Sequence, residues 1–444
     1  MSTFHNSGRW QVGRIFRAAS LLLVAAFMGS SFAQGQMENV IYNFVGDFGL
    51  RHDGAQPYGE LLAGTNGEYY GTTAGGGDGG CTAGGGWYLG CGTVFKLSRM
   101  PYGWVANTLL IFHGPNGAVP TGNLVIDAQG NLYGTTVEGG NPICDYGCGT
   151  VYELSPPSAP GGAWTQTMLY EFQGGFGQGG TDGWLPRAGL YMDGSGNLFG
   201  TTYAGGPNGC EGSGCGLVFE LTPTGNGSWL ERTIYSFQGG NDGCGPYGRL
   251  TGRGSVLYGT TSAYFCPGKS TVYSLINAGS WKKTTLHIFA GGANDGDESE
   301  AGLYLDPSGN LFGTTIIGGT FNSGTVFELS PTGVFWRETI LHSFGASGDG
   351  MIPVASLTPG PNGVLYGTTL AGGGQNAIGT VFTLTSSGGQ WAETVLHSFG
   401  PQPDGEEPWS GVTLGPGGSI LGTAASGGRY NCYSSPCGAV YEIQ

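Results

Sequence analysis

Apolar positions in this chain come in short alternating runs. "GLVFEL" (216–221) and "WLERTIYSF" (229–237) set apolar or aromatic residues against polar ones, and Gly, Asn, Asp or Pro bound each run. A period near two predicts half-buried β-strands joined by tight turns. Outside residues 1–33 no segment keeps apolar residues at helical spacing over three turns, which argues against long helices.

The runs recur in a fixed order. One unit reads "PRAGLYMD" (186–193), "GNLFGTT" (196–202), "GLVFEL" and "WLERTIYSF". The second segment returns as "GEYYGTT" (67–73), "GNLYGTT" (130–136), "SVLYGTT" (255–261), "GNLFGTT" (309–315), "GVLYGTT" (363–369) and "GSILGTA" (418–424). Its last glycine falls at 71, 134, 200, 259, 313, 367 and 422, a period of 54–66 residues with the variation confined to loops. Asp193–Asn197 and Asp306–Asn310 read as short hairpin turns. The glycine inside "YGTT" is expected where a neighbouring backbone comes close.

Four antiparallel strands repeated seven times predict an all-β, seven-bladed β-propeller, with units near 57–112, 120–172, 186–237, 246–289, 299–344, 353–399 and 408–443. A solenoid is the alternative, though its rungs are shorter and its ends need polar caps. The ends favour a ring. "ENVIYNF" (38–44) matches a fourth strand and "GAVYEI" (438–443) a third, so residues 39–44 should complete the last blade and remove an open edge.

On "GNLYGTT", "GTVFEL" and the Asp-Gly loops, residues 39–444 resemble the GloVer tandem-repeat family of secreted proteins with a choice of C-terminal anchor. The resemblance implies an exported repeat protein of unassigned biochemical role. The chain departs from that family by showing no anchor after its last repeat. The strand order is also similar to NHL-type propeller repeats.

Residues 1–33 read as a signal peptide. Arg9, Arg14 and Arg17 precede "AASLLLVAAFMGSSFA", with cleavage expected after Ala33. The run is short for a transmembrane anchor, which needs about 20 apolar residues. Residues 34–444 are then expected as one exported domain, extracellular or periplasmic, without membrane insertion and monomeric. Cleavage leaves 12 basic residues against 30 acids, so the net charge moves from -15 to -18. That excludes nucleic acid and anionic lipid as partners and favours cations, sugars or basic surfaces. Glycine is abundant at 93 residues, but aromatics at 12% against charged residues at 10% supply core rather than linker.

Ten cysteines in an exported chain predict disulfides. Cys81/Cys91, Cys144/Cys148, Cys210/Cys215 and Cys432/Cys437 each lie between second and third strands. Cys244 and Cys266 fall in two loop types that emerge on one face of a blade, so they are expected to pair. Zinc would need four converging ligands, which pairs scattered around a ring do not supply.

What the repeat explains is subtracted before function is assigned. Asp53, Asn116, Asp182, Asp242, Asp295, Asp349 and Asp404 each precede a glycine eight residues before the aligned apolar residue of a first strand. An Asx turn explains this spacing better than a ring of calcium or ligand carboxylates. His287, His342 and His397 share a slot held by Tyr in three other blades, which reads as packing. Trp104, Trp164, Trp229, Trp281, Trp336 and Trp391 each open a fourth strand.

Three tryptophans outside the signal do not repeat: Trp87, Trp184 and Trp409. At the mouth of the first strands stand Tyr58, Thr121, Arg187, Tyr247, Glu300, Val354 and Trp409, each followed by a small residue. Small beside variable, large and polar is the pattern of a binding rim on a rigid scaffold.

Tyr58, Glu60, Trp87, Trp184, Arg187, Tyr247, Arg249, Glu300 and Trp409 are therefore the candidate ligand-binding residues. Aromatic faces stack on sugars while acids and arginines bond hydroxyls, so an extracellular glycan or surface protein is the expected partner.

Motifs for serine hydrolases, zinc proteases and Asp-box sialidases are absent. Glu60 with Glu300, acids of "NDGDESE" (294–300), or the bases His52 and His113 keep a carbohydrate hydrolase or lyase open. A structural envelope protein is a third reading. No cofactor is implied, and "NDGDESE" only partly matches a calcium loop.

Overall fold

The structure, a computed structural model, describes residues 38–46, 52–78, 81–83, 88–174, 182–207, 210–264, 266–432 and 435–444. Residues 1–33, expected to be a signal peptide, and Trp87 lie outside the described residues. Strands pair into seven four-stranded antiparallel sheets, the blades of a propeller. Blade 3 is representative: Tyr191–Met192, Leu198–Thr202, Leu217–Pro223 and Trp229–Ser236 lie in that order.

Blade 7 draws on both ends of the chain. Thr413–Leu414, Ile420–Ala424 and Ala439–Ile443 are completed by Glu38–Asn43, with Glu38 opposite Ile443 and Asn43 opposite Ala439. The expected closure is therefore observed. Among the described residues no helix is long and apolar enough to cross a membrane.

The recurring "YGTT" is accounted for atom by atom. Its glycine lies opposite an aromatic residue of the third strand, as in Gly71 with Phe95, Gly134 with Tyr152 and Gly422 with Tyr441. A Cβ there would collide with that ring. The neighbour is thus a side chain and not the backbone expected from sequence.

The first threonine reaches the next blade: the hydroxyls of Thr135, Thr260, Thr314, Thr368 and Thr423 donate to carbonyls just before its innermost strand at 2.8–3.1 Å. The second bonds a third-strand threonine, as in Thr73 with Thr93 at 2.8 Å.

The core lies between blades. At every seam the Phe just after one outer strand meets the third-strand aromatic of the next blade edge-on, with centroids 4.9–5.2 Å apart. Each such pair adds about 0.5–1.5 kcal/mol beyond its burial. Five of the repeated tryptophans, Trp336 against Tyr258 among them, pack on the second strand of the preceding blade at 5.8–6.2 Å.

All ten cysteines are paired in the expected way: 81–91, 144–148, 210–215, 244–266 and 432–437.

One expectation is corrected. The innermost strands are short, pairing over two residues in six blades and over Thr251–Arg253 in the other. The preceding residues leave their own blade and bond its neighbour, as when Glu60 N–H donates to Asn123 Oδ1 at 2.9 Å.

Candidate functional site

Each innermost strand is reached through one backbone device. Gln56, Val119, Leu185, Glu298, Ile352 and Glu407 have φ between 55° and 63°, and Gly245 fills the seventh place. For β-branched Val119 and Ile352 this left-handed conformation costs on the order of 1–3 kcal/mol, so the surroundings must impose it.

They do so with a pair of backbone hydrogen bonds. Val119 N–H donates to Cys91 O at 3.0 Å, and Val119 O accepts from Val137 N–H at 3.1 Å. Gln56, Leu185 and Gly245 bond Cys437, Cys148 and Cys215 in the same way at 2.8–3.2 Å. Four of the five disulfides thus stiffen the carbonyls that clamp the next blade's strand mouth. A proline follows in six blades (Pro57, Pro120, Pro186, Pro246, Pro353 and Pro408), fixing φ just before the mouth residue.

The mouth residues of all seven blades meet in one cavity of about 110 Å³ on the ring axis. Tyr58, Glu60, Arg187, Tyr247, Arg249, Glu300 and Trp409 all line it. Tyr58 and Trp409 touch edge-on at 5.6 Å across the closure seam. The Arg187 guanidinium lies over the rings of Tyr203 and Tyr247 at 5.4 and 5.7 Å. Arg187 Nε and Trp409 Nε1 are buried donors without a hydrogen-bond partner among the described residues.

The acids differ from ordinary surface carboxylates. Burial raises Glu60 above the usual range, although Arg249 and a 3.2 Å hydrogen bond from Asn123 Nδ2 oppose it. Burial pushes Glu300 up to about 7, outweighing the attraction of Arg187, and Glu298 adds to the rise. The cavity therefore offers two carboxyls inclined to hold protons, two guanidinium groups, aromatic edges and unpaired donors. Such a set bonds hydroxyl-rich ligands in either direction.

The other candidates lie elsewhere. Trp184 is outside the axial cavity, lining a groove of about 300 Å³ with Ile143, Tyr146 and Leu185. Its indole N–H reaches Ser213 O at 3.4 Å. His113 Nδ1 contacts Asp78 Oδ2 at 2.7 Å on the exposed surface.

Within "NDGDESE", Asp295 accepts from Ala290 N–H at 2.7 Å and Ser299 donates to Thr314 O at 3.0 Å. The Asp-Gly loops act as clasps: in all seven, the Asp or Asn side chain accepts a backbone N–H just beyond the preceding outer strand at 2.6–3.2 Å.

Sequence reasoning missed Asn123 and Ser356, which also line the axis. The signal was available. Residues two apart on a strand share a side, so the column holding Glu60, Asn123, Arg249 and Ser356 must join the column holding Tyr58 and Arg187. Tyr203, beneath Arg187, comes from a loop and no spacing announced it.

No curated protein matches the chain. Among similar solved structures is a proposed 6-phosphogluconolactonase from Bacteroides uniformis, 14% identical, covering 78% of this chain and 87% of that one at a TM-score of 0.49. Another is a proposed oxidoreductase (glucose dehydrogenase) from Thermus thermophilus, 16% identical, covering 73% and 96% at a TM-score of 0.41. Neither likeness bears on what this chain binds. The Gloeobacter/Verrucomicrobia repeat matches residues 29–212 and 144–376, most of the sequence. With its repeats arranged as seven blades of one ring, the chain belongs to the Gloeobacter/Verrucomicrobia repeat family.

Proposed function

We propose that this protein is an exported binding module that holds a glycan at its axial mouth and leaves it unchanged. The observation that carries the reading is convergence: seven non-repeating side chains, drawn from blades 1, 3, 4, 5 and 7, line one cavity on an otherwise regular scaffold. Aromatic edges, guanidinium groups and carboxyls together suit hydroxyls better than an apolar ligand. Paired cysteines suit an oxidising compartment, so the ligand is sought outside the cytoplasm. At about 110 Å³ the cavity is smaller than the pockets of roughly 300–1,000 Å³ that enclose whole ligands. The axis then receives the edge of one sugar unit while the rest of the ligand lies on the loop face.

A screen of the protein against an array of glycans, followed by titration of any hit, tests this. Trp409→Ala should weaken binding at least tenfold with little loss of stability. No binding to any glycan, or binding indifferent to Trp409, refutes the assignment and leaves a structural envelope role.

A carbohydrate hydrolase or lyase is the second reading, favoured by one observation. Glu60 and Glu300 line the same cavity, and a carboxyl near 7 suits a general acid. Mass analysis of the hit after incubation decides: shortened or unsaturated products establish turnover, and an intact ligand establishes binding alone.

A further inference from the structure

At each seam between blades the repeat gathers three side chains. They are the residue two before the Phe that ends one outer strand, the Asp or Asn of the connecting loop, and the residue six before the corresponding Phe of the next blade. Between blades 6 and 7 these are His397, Asp404 and Glu38. His397 Nε2 stands 3.4 Å from Asp404 Oδ2 and 4.0 Å from Glu38 Oε2. The Glu38 side chain is only 9% exposed, and among the described residues neither its Oε1 nor His397 Nε2 has a hydrogen-bond partner. Among the described residues no lysine or arginine pairs with Glu38 or Asp404. Apart from the His397 imidazole, no cationic side chain among the described residues faces these two acids.

Another seam shows the same place occupied by one. Between blades 3 and 4, Lys283 takes the position of Glu38; its side chain is 3% exposed, and the ammonium donates to Asp242 Oδ1 at 2.7 Å and Asp242 O at 2.6 Å. There the neighbouring slot is Tyr235, whose hydroxyl donates to Asp242.

Where an acid replaces the lysine, the tyrosine gives way to histidine at three of four seams. The resulting clusters are Glu38–His397–Asp404, His287–Asp295–Glu338 and His342–Asp349–Glu393, with one ligand atom from each residue within 4.8 Å of the others. Between blades 2 and 3, Tyr170 remains beside Asp182 and Glu231. Removing the protein's own cation while adding a carboxylate and an imidazole converts a salt bridge into a donor set.

We propose that Glu38, His397 and Asp404 hold a zinc ion across the seam between blades 6 and 7, and that the other two histidine clusters are copies of this site. One imidazole and two carboxylates are ordinary zinc ligands. Ligand atoms bound at about 2.1 Å around a tetrahedral ion stand about 3.4 Å apart, close to the observed spacings. His397 supplies Nε2, each acid one oxygen, and water the fourth ligand. Because Glu38 lies on the N-terminal strand, the ion ties the closing strand to its neighbouring blade. The site is separate from the axial cavity and does not depend on what binds there.

The test compares the chelator-stripped protein with His397→Tyr. This variant installs the residue that other seams carry in the same slot, so packing and a hydrogen bond to the aspartate are retained. Zinc should bind the parent protein and raise its Tm by several degrees, and Co²⁺ should give visible d–d absorption. His397→Tyr should bind one equivalent less and lose part of the Tm gain. Glu38→Gln, nearly isosteric, should do the same should the tyrosine variant misfold. Failure of the stripped protein to take up zinc or cobalt, with a shared proton holding the carboxyls instead, overturns the proposal. So does zinc binding undiminished in both variants.

Discussion

Replacing Glu300 by Gln should stabilise the protein at alkaline pH and change little in acid. Glu300 sits at the axial mouth facing Arg187 and Glu298, with Tyr247, Arg249 and Glu60 on the same cavity. Its carboxyl, ordinarily near 4.5, is pushed up to about 7 because burial outweighs the pull of Arg187. The folded chain therefore holds this proton more tightly than the unfolded chain, and ionisation works against folding.

The resulting stability is fully present below pH 4.5, erodes as pH climbs to 7, and stays lost above it. A rise of 2.5 pH units at 1.36 kcal/mol each sets an upper bound of about 3 kcal/mol, lowered by the partial exposure of the side chain. Glutamine cannot ionise, so the variant escapes that loss. Urea-unfolding midpoints of both proteins between pH 4 and pH 9, with chelator present, give the comparison. Other buried acids titrate in both proteins and largely cancel in the difference. Parallel pH profiles, or a gap that widens toward acid, refute the electrostatic reasoning.

Removing residues 38–44 takes away the closing strand and Phe44. Since a buried Phe alone is worth about 3–5 kcal/mol, the Tm should fall by many degrees, and an unchanged melting curve contradicts closure. Cys244→Ala with Cys266→Ala should cost about 3 kcal/mol in chemical denaturation, more than the about 2 kcal/mol for the Cys144–Cys148 pair, because the cross-linked loop is longer; equal costs refute the loop-entropy account. Trp336→Ala, removing a half-buried ring packed on Tyr258, should lower stability by about 2 kcal/mol while leaving glycan affinity intact, the reverse of Trp409→Ala. Loss of affinity in both variants removes the distinction between repeated and non-repeated tryptophans.

The ring itself was legible because it is written seven times. A phrase as local as "YGTT" carries its own cross-strand partner, so alignment of the copies exposes strand order and closure. The rim was legible for a related reason. On a strand, position fixes side, and the columns through Tyr58 and Glu60 are separated by two residues. What the columns could not show was the short reach of the innermost strands. Whether residues near Glu60 pair within their blade or bond Asn123 of the next depends on packing at the axis. Trp184 illustrates the same limit: it leads toward a first strand like its relatives on the rim, yet it settles against Ile143 and Tyr146 in a groove of its own.

The seam clusters were hidden by a different circumstance. Their members come from one outer strand, a connecting loop and the next outer strand, and between blades 6 and 7 from opposite ends of the chain. Each column taken alone has a structural explanation: the Asp clasps a turn, and the Tyr or His packs beside a Phe. Only the combination of columns is informative. Lysine goes with tyrosine between blades 3 and 4, acid with tyrosine between blades 2 and 3, and acid with histidine at three other seams. A side chain serving the fold alone need not change when a charge changes across the seam. That the histidine accompanies the acid in three copies ties it to electrostatics as well as to packing. Repetition, having masked the chemistry, thus supplies the internal comparison that reveals it.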